Sequence, residues 1–134
     1  MRLFIDDTGW NAIVTEPHSN IRQFFEEALN NGYKLYSSNI AVGNATTDIQ
    51  KKLGAEAALE FLRTIEDAYI TLNLRVLWIG RRTQRDALRL FEKHRDIPLR
   101  YFDFAHVILM QRRNIHAILS TNSTFEKLGI TVLP

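Results

Sequence analysis

Apolar positions along this chain follow two alternating patterns. Short, nearly continuous apolar runs bounded by polar residues or glycine predict buried strands at Leu3 to Ile5, Lys34 to Ser38, Ile115 to Leu119 and Ile130 to Leu133. Between them, apolar residues return every three or four positions, as amphipathic helices require. Trp10 to Val14 give the first helical turns, ending before Pro17. Ser19 is a good N-cap, and Ile21, Phe24, Phe25, Ala28 and Leu29 form one stripe behind it, stopped by Asn30-Asn31-Gly32. Asn39 is expected to cap a weaker helix holding Ile40, Val42, Ile49 and Leu53, closed by Gly54. Ala58, Phe61, Leu62 and Ile65 mark a clear helix over 55–68. Tyr69 to Ile79 is apolar and β-rich, read as one long strand or two short ones, and Gly80 breaks it. Thr83 is expected to cap a basic helix with Ala87, Leu88 and Phe91 inward, and Asp103 to open a helix over 104–110. Phe125, Leu128 and Gly129 close a short turn before the last strand.

Strands thus alternate with helices throughout, which predicts a three-layer α/β/α sandwich with a mostly parallel central sheet. The chain has 134 residues, enough for one domain over 1–134 with one sizeable core. No apolar run approaches a membrane span. Met1-Arg2 leads directly into a strand, so no signal peptide is expected. The absence of cysteine excludes disulfides, thiolate metal sites and cysteine nucleophiles, and fits a cytoplasmic location.

The net charge of +2 hides an asymmetry. Acids concentrate early, at Glu26-Glu27, Glu56, Glu60 and Glu66-Asp67, whereas Arg81-Arg82-Thr83-Gln84-Arg85 opens a basic second half. Arg81, Arg82 and Arg85 suit RNA phosphates or the acidic tail of a protein partner, or simply solvate a helix start. Positive charge at a helix N-terminus opposes the dipole. Tyr33, Tyr36, Trp10 and Trp78 read as core or interface residues.

Candidate chemistry begins where the first strand runs into Asp7-Thr8-Gly9. A parallel α/β sheet presents its functional groups at the C-terminal ends of its strands. In such a topology the strands before Asp7 and Asn122 converge on one edge, which the helices holding Asn44 and Asp103 can reach. Side-chain oxygens gathered there suit hard divalent cations, Mg²⁺ or Mn²⁺. Such ions activate water and neutralise charge building on a phosphate. Asp7 and Asp103 also suit helix N-caps.

Across these residues the chain resembles the PIN-domain family, in particular the VapC-type ribonuclease toxins. The resemblance starts at Phe4-Ile5-Asp6-Asp7-Thr8-Gly9-Trp10, with Asp7 as the family's first acid and Thr8 as the hydroxyl beside it. It runs through Leu35 to Asn44, where the family has Glu at the last position, and through Leu99-Arg100-Tyr101-Phe102-Asp103, which ends in the third acid. Ser120-Thr121-Asn122-Ser123-Thr124-Phe125 is similar to the family's late Thr-x-Asp-x-x-Phe stretch, with Asn122 in place of the Asp and read as one position nearer the Thr.

That resemblance implies a Mg²⁺- or Mn²⁺-dependent endoribonuclease whose catalytic set would be Asp7, Asp103, Thr8, Asn44 and Asn122, with single-stranded RNA or an antitoxin-like protein as partner and a homodimer as assembly. Two of its four acids are amides, so metal binding and cleavage are expected to be weak or lost. Asp48 lies four residues after Asn44 on the same helix face and is the candidate to replace the missing Glu. Asp6 is a poorer candidate, because successive strand side chains point to opposite faces. His106, three residues after Asp103, can face the cleft, occupy a metal's space or hydrogen-bond Asp103. The competing reading is a non-catalytic PIN-fold module that binds RNA or a protein. A phosphorylation receiver is excluded, since Trp78-Ile79-Gly80-Arg81 offers no phosphate-accepting Asp. No dinucleotide fingerprint and no serine nucleophile elbow is present.

Overall fold

The computed structural model describes residues 1–134. In chain order it places β1 (Arg2–Ile5), α1 (Asp7–Thr15), α2 (Asn20–Asn30), β2 (Lys34–Ser38), α3 (Asn39–Leu53), α4 (Ala55–Ile70), β3 (Leu74–Leu77), α5 (Arg81–Lys93), α6 (Tyr101–Arg112), β4 (Ala117–Leu119), a 3₁₀ turn (Ser123–Leu128) and β5 (Thr131–Leu133). The strands form one sheet in the order β3-β2-β1-β4-β5, and every pairing is parallel.

Period-two alternation along the strands divides the core between the two sheet faces. Leu3, Ile5, Leu35 and Leu119 pack with Trp10, Ile49, Phe61 and Ile65 from the helices α1, α3 and α4. Phe4, Tyr36 and Ile118 face the other way, against Ala87, Phe104, Val107 and Met110 of α5 and α6. The three-layer arrangement follows from this division.

Several boundaries differ from those the sequence suggests. Tyr69 to Ile79 is not chiefly strand: α4 continues to Ile70, and β3 holds only four residues. Ser38, not Asn39, caps α3, accepting from the Ala41 N–H at 2.9 Å. Gly80, not Thr83, precedes α5, and Thr83 is buried with its hydroxyl accepting from Arg112 at 2.8 Å. The helix containing Asp103 starts earlier, at Tyr101.

The strand order sets the position of the site. From β1 the chain winds outward to β2 and β3, then returns to place β4 and β5 on the other side. The C-terminal ends of β1 and β4 therefore flank the point where the winding reverses, the crevice in which open parallel sheets carry their sites. Gly9 lets α1 settle against that crevice: a Cβ there would lie 2.3 Å from the Leu119 carbonyl oxygen.

Candidate functional site

β1 ends at Ile5, so Asp6 and Asp7 are not successive strand residues. Asp6 is the N-cap of α1 and Asp7 its first helical residue. The chain turns between them, and strand alternation does not apply. Asp6 is consequently no outsider to the site. The carboxylates of Asp6, Asp7 and Asp103 all lie within 4.8 Å of one another, and all three residues are buried.

Asp6 is fully enclosed and held by three donors. Its Oδ1 accepts from the Gly9 N–H at 2.8 Å and the Thr8 hydroxyl at 2.7 Å, and its Oδ2 accepts from the Ser120 hydroxyl at 2.7 Å. Burial pushes its pKa up to about 6, although those three hydrogen bonds favour the charged form. Ser120 is the residue that β4 delivers to the crevice. Its hydroxyl, two residues before Asn122, is the one that meets Asp6.

Asp7 and Asp103 are joined by Arg100, a residue that the sequence marks only as part of the stretch ending in Asp103. Arg100 donates from Nη1 and Nη2 to the two oxygens of Asp7 at 2.9 and 2.8 Å. It donates from Nε and Nη2 to the two oxygens of Asp103 at 3.0 and 2.8 Å. Its backbone N–H also donates to Asp103 Oδ2 at 2.9 Å, the N-terminal closure of α6. Burial alone would raise the Asp7 pKa, but the Arg100 hydrogen bonds and charge outweigh it and hold the carboxyl below its usual value. The same two carboxylates raise the pKa of Arg100.

Three carboxylates are the donor chemistry that a hard divalent ion takes. The residues as arranged do not fit one. Every carboxylate oxygen in the group already accepts from the protein, and the Arg100 guanidinium lies between Asp7 and Asp103.

The remaining predicted residues fall as follows. Thr8 is at the site, 3.1 Å from Ser120 Oγ and accepting from the Thr121 N–H at 3.0 Å. Asn44 is exposed, and the half-buried Asp48 is not among the clustered carboxylates, so it supplies no replacement in this arrangement. Asn122 Oδ1 accepts from the Thr124 N–H at 3.0 Å, capping the 3₁₀ turn. His106 is buried but does not hydrogen-bond Asp103; its Nε2 lies 2.8 Å from Ser38 Oγ and its ring 5.0 Å from that of Phe4. Burial lowers its pKa to about 4, so it is neutral at pH 7. Arg81, Arg82 and Arg85 are exposed on α5 and make no salt bridge to Asp6, Asp7 or Asp103.

Trp78 is neither core nor buried. It is 75% exposed just past β3, whereas Trp10 is only 5% exposed. Two residues of the site went unrecognised in the sequence, Arg100 and Ser120. The one signal for Arg100 was its position three residues before Asp103, which lets an N-cap residue fold back over the first helical turn.

By fold, the chain is similar to VapC20 of Mycobacterium tuberculosis, described as a sarcin-ricin loop cleaving toxin, with TM-score 0.77, 16% identity and 96% of each chain covered. It is also similar to PAE2754 from Pyrobaculum aerophilum, with TM-score 0.67, 12% identity, and 99% of this chain and 90% of that one covered. A comparison with curated proteins by sequence finds no match. The family model described as PIN domain matches residues 3–130, nearly the whole chain, and the chain belongs to the PIN domain family.

Proposed function

We propose that this chain is a PIN domain that has lost metal-dependent cleavage of RNA and retains the binding of a single strand. The observation that carries the reading is the saturation of the acidic group: three carboxylates, with each oxygen already accepting a hydrogen bond from the protein. The two amides deepen the deficit, because neither carries a charge and the side-chain carbonyl of Asn122 is spent on a cap. Metal-assisted hydrolysis needs an ion to activate water and neutralise the phosphate. No other group substitutes. Asp6 is fixed by three donors, and His106 is neutral and turned to Ser38.

Three carboxylates against one guanidinium leave the crevice short of positive charge, which does not attract a phosphodiester. Exposed cations lie instead on α5. Arg81, Arg82 and Arg85 make no salt bridge, whereas Asp86 is engaged by Arg112 and, at 3.7 Å, by Arg89. The exposed Trp78 precedes them by three residues. Arginines along a helix beside an exposed aromatic ring suit a single strand, the arginines holding phosphates and the indole stacking on a base.

A titration with oligouridylate in the presence of Mn²⁺ tests both halves of the reading. Trp78 is the exposed one of the two tryptophans, so quenching of intrinsic fluorescence reports stacking there. The expected result is quenching that weakens with salt and disappears in Trp78→Phe, with no product above an Asp7→Asn control. Product that requires Mn²⁺ and vanishes in that control overturns the loss of cleavage. Unchanged fluorescence at low salt overturns the binding.

A protein partner is favoured by a separate observation. An apolar cleft of about 580 Å³ lies between α2 and α4, lined by Trp10, Phe25, Leu29, Leu53, Phe61 and Ile65 among others, with Arg22 and Glu26 also lining it. It suits an apolar segment of an antitoxin-like protein or of a second copy. A monomeric mass in light scattering at micromolar concentration would count against the homodimer.

A further inference from the structure

We infer that Arg100 is the resident cation of the acidic site, taking the place of a divalent ion, and that its removal uncovers a latent divalent-cation site. The inference goes beyond the loss of cleavage, since it names what replaced the ion and predicts a gain of binding in a variant.

The geometry is that of a double fork. One guanidinium edge meets both oxygens of Asp7 and another meets both oxygens of Asp103, at 2.8–3.0 Å. Four of the five N–H donors of a guanidinium are consumed in this way. The two carboxylates are buried, with side chains 4% and 0% exposed, and the arginine side chain is 52% exposed. The cation thus covers the carboxylates from the solvent side, as an ion entering from solution would.

Its placement is fixed by the backbone. Arg100 is the N-cap residue of α6, in extended conformation at φ −71° and ψ 160°, and its own N–H is tied to Asp103 Oδ2. Leu99 beside it is buried. From that position the side chain reaches across Asp103 to Asp7. A tethered guanidinium loses no translational freedom on binding, so a dissolved ion competes at a disadvantage. It also supplies one charge where the ion supplies two, which leaves Asp7 and Asp103 with one negative charge between them.

The discriminating measurement is the paramagnetic resonance signal of free Mn²⁺ titrated with wild type, Arg100→Gln and Arg100→Gln/Asp103→Asn, with folding verified by circular dichroism. Wild type is expected to leave the Mn²⁺ signal at its buffer value. Arg100→Gln is expected to remove one equivalent, and the double variant to return the signal to the buffer value. One equivalent bound by wild type and lost in Asp7→Asn overturns the inference, as does a folded Arg100→Gln that binds none. The wild-type titration decides even if Arg100→Gln does not fold. Mn²⁺ bound by wild type without cleavage overturns this inference alone. Cleavage that persists in a chelator overturns only the functional reading above.

Discussion

Arg100→Ala is expected to destabilise the protein by about 1–3 kcal/mol, less than the full cost of breaking a buried ion pair because Arg100 is half-exposed. The burial of the partners sets the size. Arg100 is half-exposed and covers Asp7 and Asp103, so the variant leaves two adjacent carboxylates with no counter-charge, and water reaching them offsets part of the loss. Losing a carboxylate instead leaves the guanidinium its other partner and access to solvent, and the loss should be smaller for Asp7→Ala. Arg100→Lys should fall between wild type and Arg100→Ala, because an ammonium keeps the charge but cannot fork to both carboxylates. The sign with pH follows from Asp7. Its folded pKa is depressed, so its contribution in wild type is present above the unfolded value near 3.8 and is lost as pH falls below it. The gap between wild type and Arg100→Ala should therefore be widest near neutrality and close in acid, where the stranded carboxylates take up protons. Urea denaturation at pH 7 and pH 3 measures it. An Arg100→Ala curve superimposable on wild type at pH 7 would mean that the pair contributes nothing.

Asp6 and His106 are expected to cancel in the wild-type pH profile, and Asp6→Asn to expose a fall of about 3 kcal/mol toward acid. His106 has a folded pKa of about 4 against an ordinary 6.5, so the unfolded chain takes the proton first and stability is lost as pH falls from 6.5 toward 4. Asp6 runs the other way. Its folded pKa of about 6 lies above the ordinary 3.8, so the folded state takes the proton first and stability is gained as pH falls through the same window. Each difference corresponds to about 3 kcal/mol. Removing Asp6 leaves the His106 fall uncovered relative to wild type. Urea midpoints at pH 7, 5.5 and 4 check this, and parallel profiles for the two proteins would contradict it.

Both residues show where sequence patterns stop being informative. The helical stripes, such as Ile21, Phe24, Phe25 and Ala28, were legible because burial on one face imposes a period. The sheet was legible because strands and helices alternate. Placing Asp7 and Asp103 at one crevice followed from the same topology. Asp6 was misread because strand alternation was extended one residue past Ile5, where the chain already turns into α1. For Trp78 the structure excludes the core and leaves the interface; an apolar run looks alike in a strand and in the exposed residues after one. Arg100 was hidden for a different reason. A charged residue declares nothing about its partner in a one-dimensional pattern, and Asp7 lies 93 positions away. Ser120 was likewise invisible until β4 was set beside β1 and brought its hydroxyl to Asp6.

The most direct test is a crystal structure of the wild-type protein soaked in Mn²⁺, with anomalous scattering measured at the manganese edge. The predicted result is no anomalous peak among Asp6, Asp7 and Asp103, with Arg100 still forked between Asp7 and Asp103. A peak at that position, with the Arg100 side chain displaced into solvent, would contradict it.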